Sequence, residues 1–193
     1  MGFGNKMSQL QEGLINFTSQ YPDAGLIAMQ KFNDPTILPP TGAIELIPFS
    51  IYKDVKNQVQ TSINQLIPGG ATYSKNAFEL IKPKLITAKA AYPNYKIVLI
   101  FISDGVPEAF SPPPPGPGRF NPVQDPTAVA QEIKNSGIRI FTLAYLDQAD
   151  KIDNNKLTEL MTNVASSPND FYTAPSSNQV TTILAQIATK LCQ

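Results

Sequence analysis

The chain has 193 residues, enough for one domain with a hydrophobic core and too few for two full ones. Its 15 Lys and Arg balance 15 Asp and Glu, so no net field draws it to nucleic acid or to an anionic membrane, and any partner has to be recognised locally. The sequence contains no histidine and a single cysteine, Cys192, which excludes Ser-His-Asp and Cys-His catalysis, the common zinc sites and a disulfide framework. No run of about 18 apolar residues suggests a membrane span, and no signal-peptide pattern opens the chain.

Met7, Leu10, Leu14 and Phe17 recur at helical spacing and predict a first helix that ends at Tyr21-Pro22-Asp23. Ala24 to Phe32 then reads as a strand. Ala43 to Phe49 reads as its hairpin partner after Pro39-Pro40-Thr41-Gly42, and Pro48 places that partner at a sheet edge. Val55, Val59, Ile63 and Leu66 mark a second helix closed by Pro68-Gly69-Gly70. Phe78, Ile81, Leu85 and Ile86 mark a third, with a kink expected at Pro83. Lys96 to Ile102 is almost continuously apolar, as expected of a parallel strand buried on both faces. Eight of the 18 prolines lie between Pro107 and Pro126, so residues 106–124 read as one unusual Pro-rich loop. Asp125-Pro126 begins a helix stopped by Gly137, Ile138 to Ala144 forms another buried strand, and Lys156 to Ala165 a further helix. Phe171-Tyr172-Thr173 and a helix carrying Val180, Ile183, Leu184, Ile187 and Leu191 complete the order. Alternating strands and helices define an α/β protein with a mostly parallel sheet.

Ligands of open parallel sheets bind beyond the carboxyl ends of the strands, so the residues just after a strand carry the first functional expectation. Asp104 stands where the most apolar strand breaks, followed by Gly105. Gly69-Gly70-Ala71-Thr72-Tyr73-Ser74 delivers two hydroxyls to the start of a helix. One carboxylate and two hydroxyls are hard oxygen donors, suited to Mg²⁺, Ca²⁺ or Mn²⁺. The structural alternatives are that Asp104 caps a loop and that Ser74 and Thr72 are helix N-caps. An enzyme using Asp104 as nucleophile or base finds no phosphate loop, Asp-x-Asp or histidine to support it, so the protein is expected not to be an enzyme.

The order of elements, Gly-Gly-x-Thr-x-Ser, the strand ending Ser103-Asp104-Gly105, the strand Ile138-Arg139-Ile140-Phe141-Thr142-Leu143-Ala144, and Ala165-Ser166-Ser167-Pro168 with Asp170-Phe171-Tyr172 together resemble the von Willebrand factor A domain over nearly the whole chain. The resemblance implies one domain over residues 1–193, a three-layer doubly wound sheet with one antiparallel edge strand, and a metal-ion-dependent adhesion site on its rim. In that family three loops hold the ion: an Asp-x-Ser-x-Ser after the first strand, a Thr matched here by Ser74 with Thr72 two residues earlier, and an Asp matched by Asp104. An acidic side chain of the protein partner completes the coordination. The sequence begins at the Met that follows the family's Asp-x-Ser-Gly-Ser, so the central first strand and its ligands are not in it. A gap about 4.8 Å wider than pairing permits would then face each flanking strand. Three expectations follow: the chain starts late, another chain supplies the strand, or the flanking strands close up directly.

The Pro-rich loop rises from the rim of Asp104. It is either a tolerated insertion or a semi-rigid specificity loop with Glu108, Phe110, Arg119 and Phe120 as contact candidates. The expected function is a metal-dependent adhesion or assembly module, with Mg²⁺ (or Ca²⁺ or Mn²⁺) held only if the first-strand loop is present or supplied in trans. The alternative is a scaffold domain with a degenerate metal site, acting through its Pro-rich loop or by strand complementation. An extracellular or cell-surface location is expected, with no nucleic acid partner and no direct membrane insertion. Asn16-Phe17-Thr18 matches a glycosylation sequon, most simply by chance because Phe17 lies on the buried side of its helix, and Cys192 reads as an unpaired thiol.

Overall fold

The computed structural model describes residues 3–33, 42–69, 72–107, 122–146, 151–174 and 177–191. In chain order these form α1 (Phe3–Ser19), β1 (Leu26–Phe32), β2 (Ala43–Ile51), α2 (Tyr52–Asn64), α3 (Ser74–Ala91), β3 (Val98–Ser103), α4 (Thr127–Asn135), β4 (Arg139–Tyr145), α5 (Lys151–Val164), β5 (Phe171–Ala174) and α6 (Ser177–Leu191). Short 3-10 turns stand at Pro122–Gln124 and Pro168–Asp170. The fold is α/β: β1 and β2 form an antiparallel pair, and β3, β4 and β5 form a parallel three-stranded sheet in that spatial order. The chain divides into two compact units, one comprising Met1–Met29, Glu45–Gly69 and Ala174–Gln193, the other Gln30–Ile44 and Gly70–Thr173.

In the first unit α1 packs on α2 and α6. Gly13 marks the crossing with α6, where a Cβ would lie only 3.1 Å from Val180 Cγ1 and 3.4 Å from the Thr181 backbone nitrogen. Ile47, Tyr52, Val59 and Ile63 form the core, with Leu14, Ile15, Ile27, Met29, Leu46 and Val55 packed against it. The periodicity of α2 is what delivers Val59 and Ile63 to this core on one face. The Tyr21 ring meets Tyr52 edge-on at 5.6 Å, and its hydroxyl donates to the Leu26 carbonyl at 2.8 Å. The last carbonyls of a helix lack intrahelical donors, and here the Gln11 amide supplies them, donating to Ile63, Asn64 and Leu66 at 3.0–3.1 Å. Thr18, the third residue of the sequon, is buried in α1 with its hydroxyl donating to the Leu14 and Ile15 carbonyls.

The hairpin is bracketed by two main-chain bonds: Asn33 N–H donates to Gly42 at its turn end, and Tyr52 N–H to Gly25 at its open end. Gly42 has φ +71°, and a Cβ there would sit 2.6 Å from the Asn33 carbonyl oxygen, so only glycine fits. Pro48 is tolerated in β2 because each strand of a two-stranded sheet is an edge, as expected. No turn separates β2 from α2: the strand runs straight into the helix at Tyr52, which is fully buried.

The second unit is built around β4, whose residues Ile140 to Ala144 are completely shielded. β3 pairs with it from Val98↔Arg139 to Ser103↔Ala144. α4 and α5 pack on β4, and α3 on α4. The Thr142 hydroxyl, polar in an otherwise apolar strand, donates to the Met161 carbonyl of α5 at 2.9 Å. Arg139 clamps the buried Asp170 carboxylate with two N–H···O bonds of 3.0 and 2.6 Å. The hydrogen bonds it donates to Asp170 hold the Arg139 guanidinium above its ordinary range, with the carboxylate's charge acting in the same direction. Asp125 Oδ1 accepts from the Thr127 N–H, capping α4 one residue earlier than a standard N-cap position, and Gly137, at φ +73°, ends the turn after that helix. The Lys89 ammonium donates to the Ser136 and Gly137 carbonyls, and Lys134 to those of Asn163 and Ala165. α3 continues through Pro83 as one helix.

Two expectations are corrected here. β3 is not buried on both faces: Val98, Leu99, Ile100 and Ile102 are half-buried, because among the described residues no strand pairs with its edge away from β4. The strands flanking the absent one do not close up directly either, since β1 and β3 belong to separate sheets.

Candidate functional site

The residues singled out at the sequence level lie in the second unit, between the end of β3 and the start of α3. β3 delivers Ser103 and Asp104 to the rim. The Ser103 hydroxyl then ties the turn, donating to the Gly105 carbonyl at 2.9 Å and accepting from the Gly105 N–H at 3.3 Å. This small ring turns the chain sharply and leaves the Asp104 side chain exposed to solvent.

Thr72 comes to the same turn. Its Oγ1 lies 3.0 Å from where a Cβ on Gly105 would stand, so the missing side chain of Gly105 makes the room that the threonine hydroxyl uses. Ser74 opens α3 and is wholly buried, yet its hydroxyl has no hydrogen-bond partner. It is not the N-cap of that helix: Tyr73 occupies that position, without a side-chain cap. A buried hydroxyl left unpaired costs free energy, roughly 1–3 kcal/mol, unless some further group meets it. The structure thus brings Thr72 beside the Asp104–Gly105 turn and leaves Ser74, two residues on, with an orphaned oxygen. Glu108, Phe110, Arg119, Phe120 and the Pro-rich loop lie outside the described residues, as does Cys192.

These donors suit a hard cation, with one exposed carboxylate, a hydroxyl in a cradle that a Cβ would fill, and a buried hydroxyl without a partner. They are too few to surround Mg²⁺ by themselves. Among the described residues no three carboxylate, cysteine or histidine groups cluster closely enough to hold a metal. A residue that motif reading passed over is Gln30 of β1. Its amide nitrogen donates to the Ala77 carbonyl of α3 at 2.9 Å, while its Oε1 is buried without a partner. The sequence signal was slight, an uncharged amide beside Lys31 in a strand that is apolar from Leu26 to Met29.

A rim of hydroxyls and one carboxylate at the carboxyl end of an apolar parallel strand belongs to a defined class of domain. The sequence matches the von Willebrand factor type A domain family over residues 14–186, and the chain belongs to that family. Among solved structures it is similar to the pilus adhesin SpaC of Lactobacillus rhamnosus GG, at 18% identity and a TM-score of 0.76, covering 97% of this chain and 28% of that one. It is also similar to proximal thread matrix protein 1 of the mussel byssus with a zinc-occupied MIDAS motif (14%, TM-score 0.70, covering 98% and 43%). A third similar structure is the vWF domain of the type V pili tip protein Mfa5 of Porphyromonas gingivalis (13%, TM-score 0.60, covering 97% and 87%). At these identities the likeness is one of fold, and the chain spans under a third of SpaC. By sequence, no curated protein matches.

Proposed function

We propose that the protein is a non-enzymatic protein-binding module of adhesion or assembly, acting as one domain over residues 1–193 at the cell surface or outside the cell. Its contact surface is the rim formed by Thr72, Ser74 and Asp104. The observation that carries this reading is the buried, unpartnered Ser74 hydroxyl, two residues after the threonine that reaches the turn carrying the exposed Asp104. Ser74 and Asp104, with Thr72, would hold part of the shell of Mg²⁺, Ca²⁺ or Mn²⁺, and further oxygens would come from a strand loop outside this sequence. When bound, such an ion supplies a positive charge that an acidic residue of a protein partner can ligate. The Pro-rich loop, with Glu108, Phe110, Arg119 and Phe120, would set which partner is accepted. The pilus adhesins and byssal matrix protein that share the fold support a location outside the cell. No described helix is long and apolar enough to cross a membrane.

The test is a titration of the full chain with Mn²⁺, read by water-proton relaxation, beside Asp104→Ala and Ser74→Ala. Weak binding in the parent, lost in both variants with the fold retained, is the expected result. Binding that is the same in all three proteins would remove the rim from the site. A second reading has its own observation: the absence of a three-carboxylate cluster among the described residues favours a scaffold domain with a degenerate metal site. Partner capture indifferent to EDTA would select it.

A further inference from the structure

A groove of about 410 Å³ lies between β2 and α2, in the unit that does not carry Thr72, Ser74 or Asp104. Leu46 and Ile47 of the strand form its floor, and Asn57, Gln58, Thr61 and Ser62 of the helix form its wall. Residues four apart on a helix stand one above the other, about 5–6 Å between Cβ atoms, so Asn57 with Thr61 and Gln58 with Ser62 make two short rows. Val59 and Ile63, on the neighbouring face of α2, are locked into the core with Ile47, which holds the wall in place against its floor.

The lining carries no charge. α2 opens with Lys53, Asp54 and Lys56, but from Asn57 to its end it has no ionisable side chain. The wall is also not engaged in the protein's own hydrogen bonding. In α1 and α5 the hydroxyls of Thr18, Ser19 and Thr162 turn back onto carbonyls of their own helix at 2.7–2.8 Å. Those of Thr61 and Ser62 do not, and among the described residues the Asn57 and Gln58 side-chain amides have no protein partner either. Asn57, Gln58 and Thr61 are exposed and Ser62 is half-buried, so all four present donors and acceptors to whatever enters the groove.

We propose that this groove binds a neutral carbohydrate, seated on Leu46 and Ile47 and hydrogen-bonded by the uncharged wall of Asn57, Gln58, Thr61 and Ser62. An ionic ligand would find no counter-charge there. A sugar hydroxyl both donates and accepts, as do the amides and hydroxyls of the wall, while the C–H face of the ring packs on the apolar floor. The volume lies toward the low end of the range of about 300–1,000 Å³ typical of small-ligand sites, which suits a terminal mono- or disaccharide. A peptide strand fits less well. Strand addition to β2 needs a run of open main-chain groups, and next to the floor Pro48 has no N–H while its carbonyl already accepts from the Ser50 hydroxyl at 2.9 Å. The site requires neither Asp104 nor a cation, so it stands apart from the metal reading of the rim.

The test is an array of neutral, sialylated and sulfated oligosaccharides probed with the full chain, with and without EDTA. Binding should fall on neutral glycans and survive EDTA. The terminal disaccharide of the strongest binder, added to isotope-labelled protein, should shift the side-chain amide resonances of Asn57 and Gln58. The double variant Asn57→Ala with Gln58→Ala, at exposed positions where alanine favours the helix, should keep the unfolding midpoint and lose at least tenfold in affinity. Failure to bind any neutral glycan, preference for the acidic ones, or unchanged affinity in the double variant would overturn the assignment. Binding abolished by EDTA and by Asp104→Ala would place the glycan on the rim and equally overturn the groove. Shifts of the same two amides by the capped peptide KTVIVVT, with none by sugars, would give the groove to a peptide strand instead.

Discussion

β3 and β4 run side by side in parallel register, are similar in length and are similarly apolar, yet they stand in opposite situations. β4 has a strand on each side and helices over its faces, and five consecutive residues from Ile140 to Ala144 are wholly shielded. β3 has one strand beside it, and most of its apolar side chains keep contact with solvent. Apolar composition states what a strand requires; its neighbours decide whether the requirement is met. The difference also explains where polar atoms are satisfied. Thr142 within β4 finds the Met161 carbonyl, whereas Gln30 Oε1 and Ser74 Oγ, near the open edge, find nothing.

Substitutions can break or sharpen this contrast. The largest effect is expected at the anchor of β4: Arg139→Met would leave the Asp170 carboxylate, 2% exposed, without its guanidinium, at a cost of about 3–5 kcal/mol in urea unfolding. Leu143→Ala, within β4, should cost about 2–5 kcal/mol. The matching deletion in β3, Ile100→Ala, should cost less, roughly 1–3 kcal/mol, since a partly exposed side chain has less burial to lose. Equal losses at Leu143 and Ile100 would show that β3 is as well covered in solution as β4. Ser74→Ala should leave stability within about 0.5 kcal/mol of the parent, or raise it, because it deletes a hydroxyl that has no partner. A loss above about 1 kcal/mol would mean that the hydroxyl is paired after all. Asp104→Ala, on an exposed turn, should not change the unfolding midpoint measurably and should act on Mn²⁺ binding alone.

Much of the fold was legible because it depends on local pattern. Val55, Val59 and Ile63 announced α2, the turn at Gly42 announced the hairpin, and Gly137 announced the end of α4. The junction of β2 and α2 was not legible, since Ile51 carries no side-chain cap and no turn residue intervenes. The exposure of β3 was not legible in its own residues, because burial there depends on which elements distant in sequence lie beside it. Asp104 could be found from the break of an apolar strand at Gly105, and Thr72 from the Gly69-Gly70 turn that brings two hydroxyls to the start of α3. The Ser103 ring that fixes that turn, and the unpaired oxygens of Ser74 and Gln30, emerge only when elements far apart in sequence meet. Ser74 shows the limit well: a hydroxyl at a helix start reads as a cap, and only the position of Tyr73 shows that it is not.

The clamp between Arg139 and Asp170 carries a consequence for behaviour in brine. Exposed ion pairs such as Lys56 with Asp23 and Lys75 with Glu79 are weak to begin with and fade further as counterions crowd the surface. Asp170 lies out of reach of those counterions and holds its partner through two directed hydrogen bonds. Rising salt should therefore erase the ornamental charges while leaving the bond between the start of β4 and the turn before β5 in place.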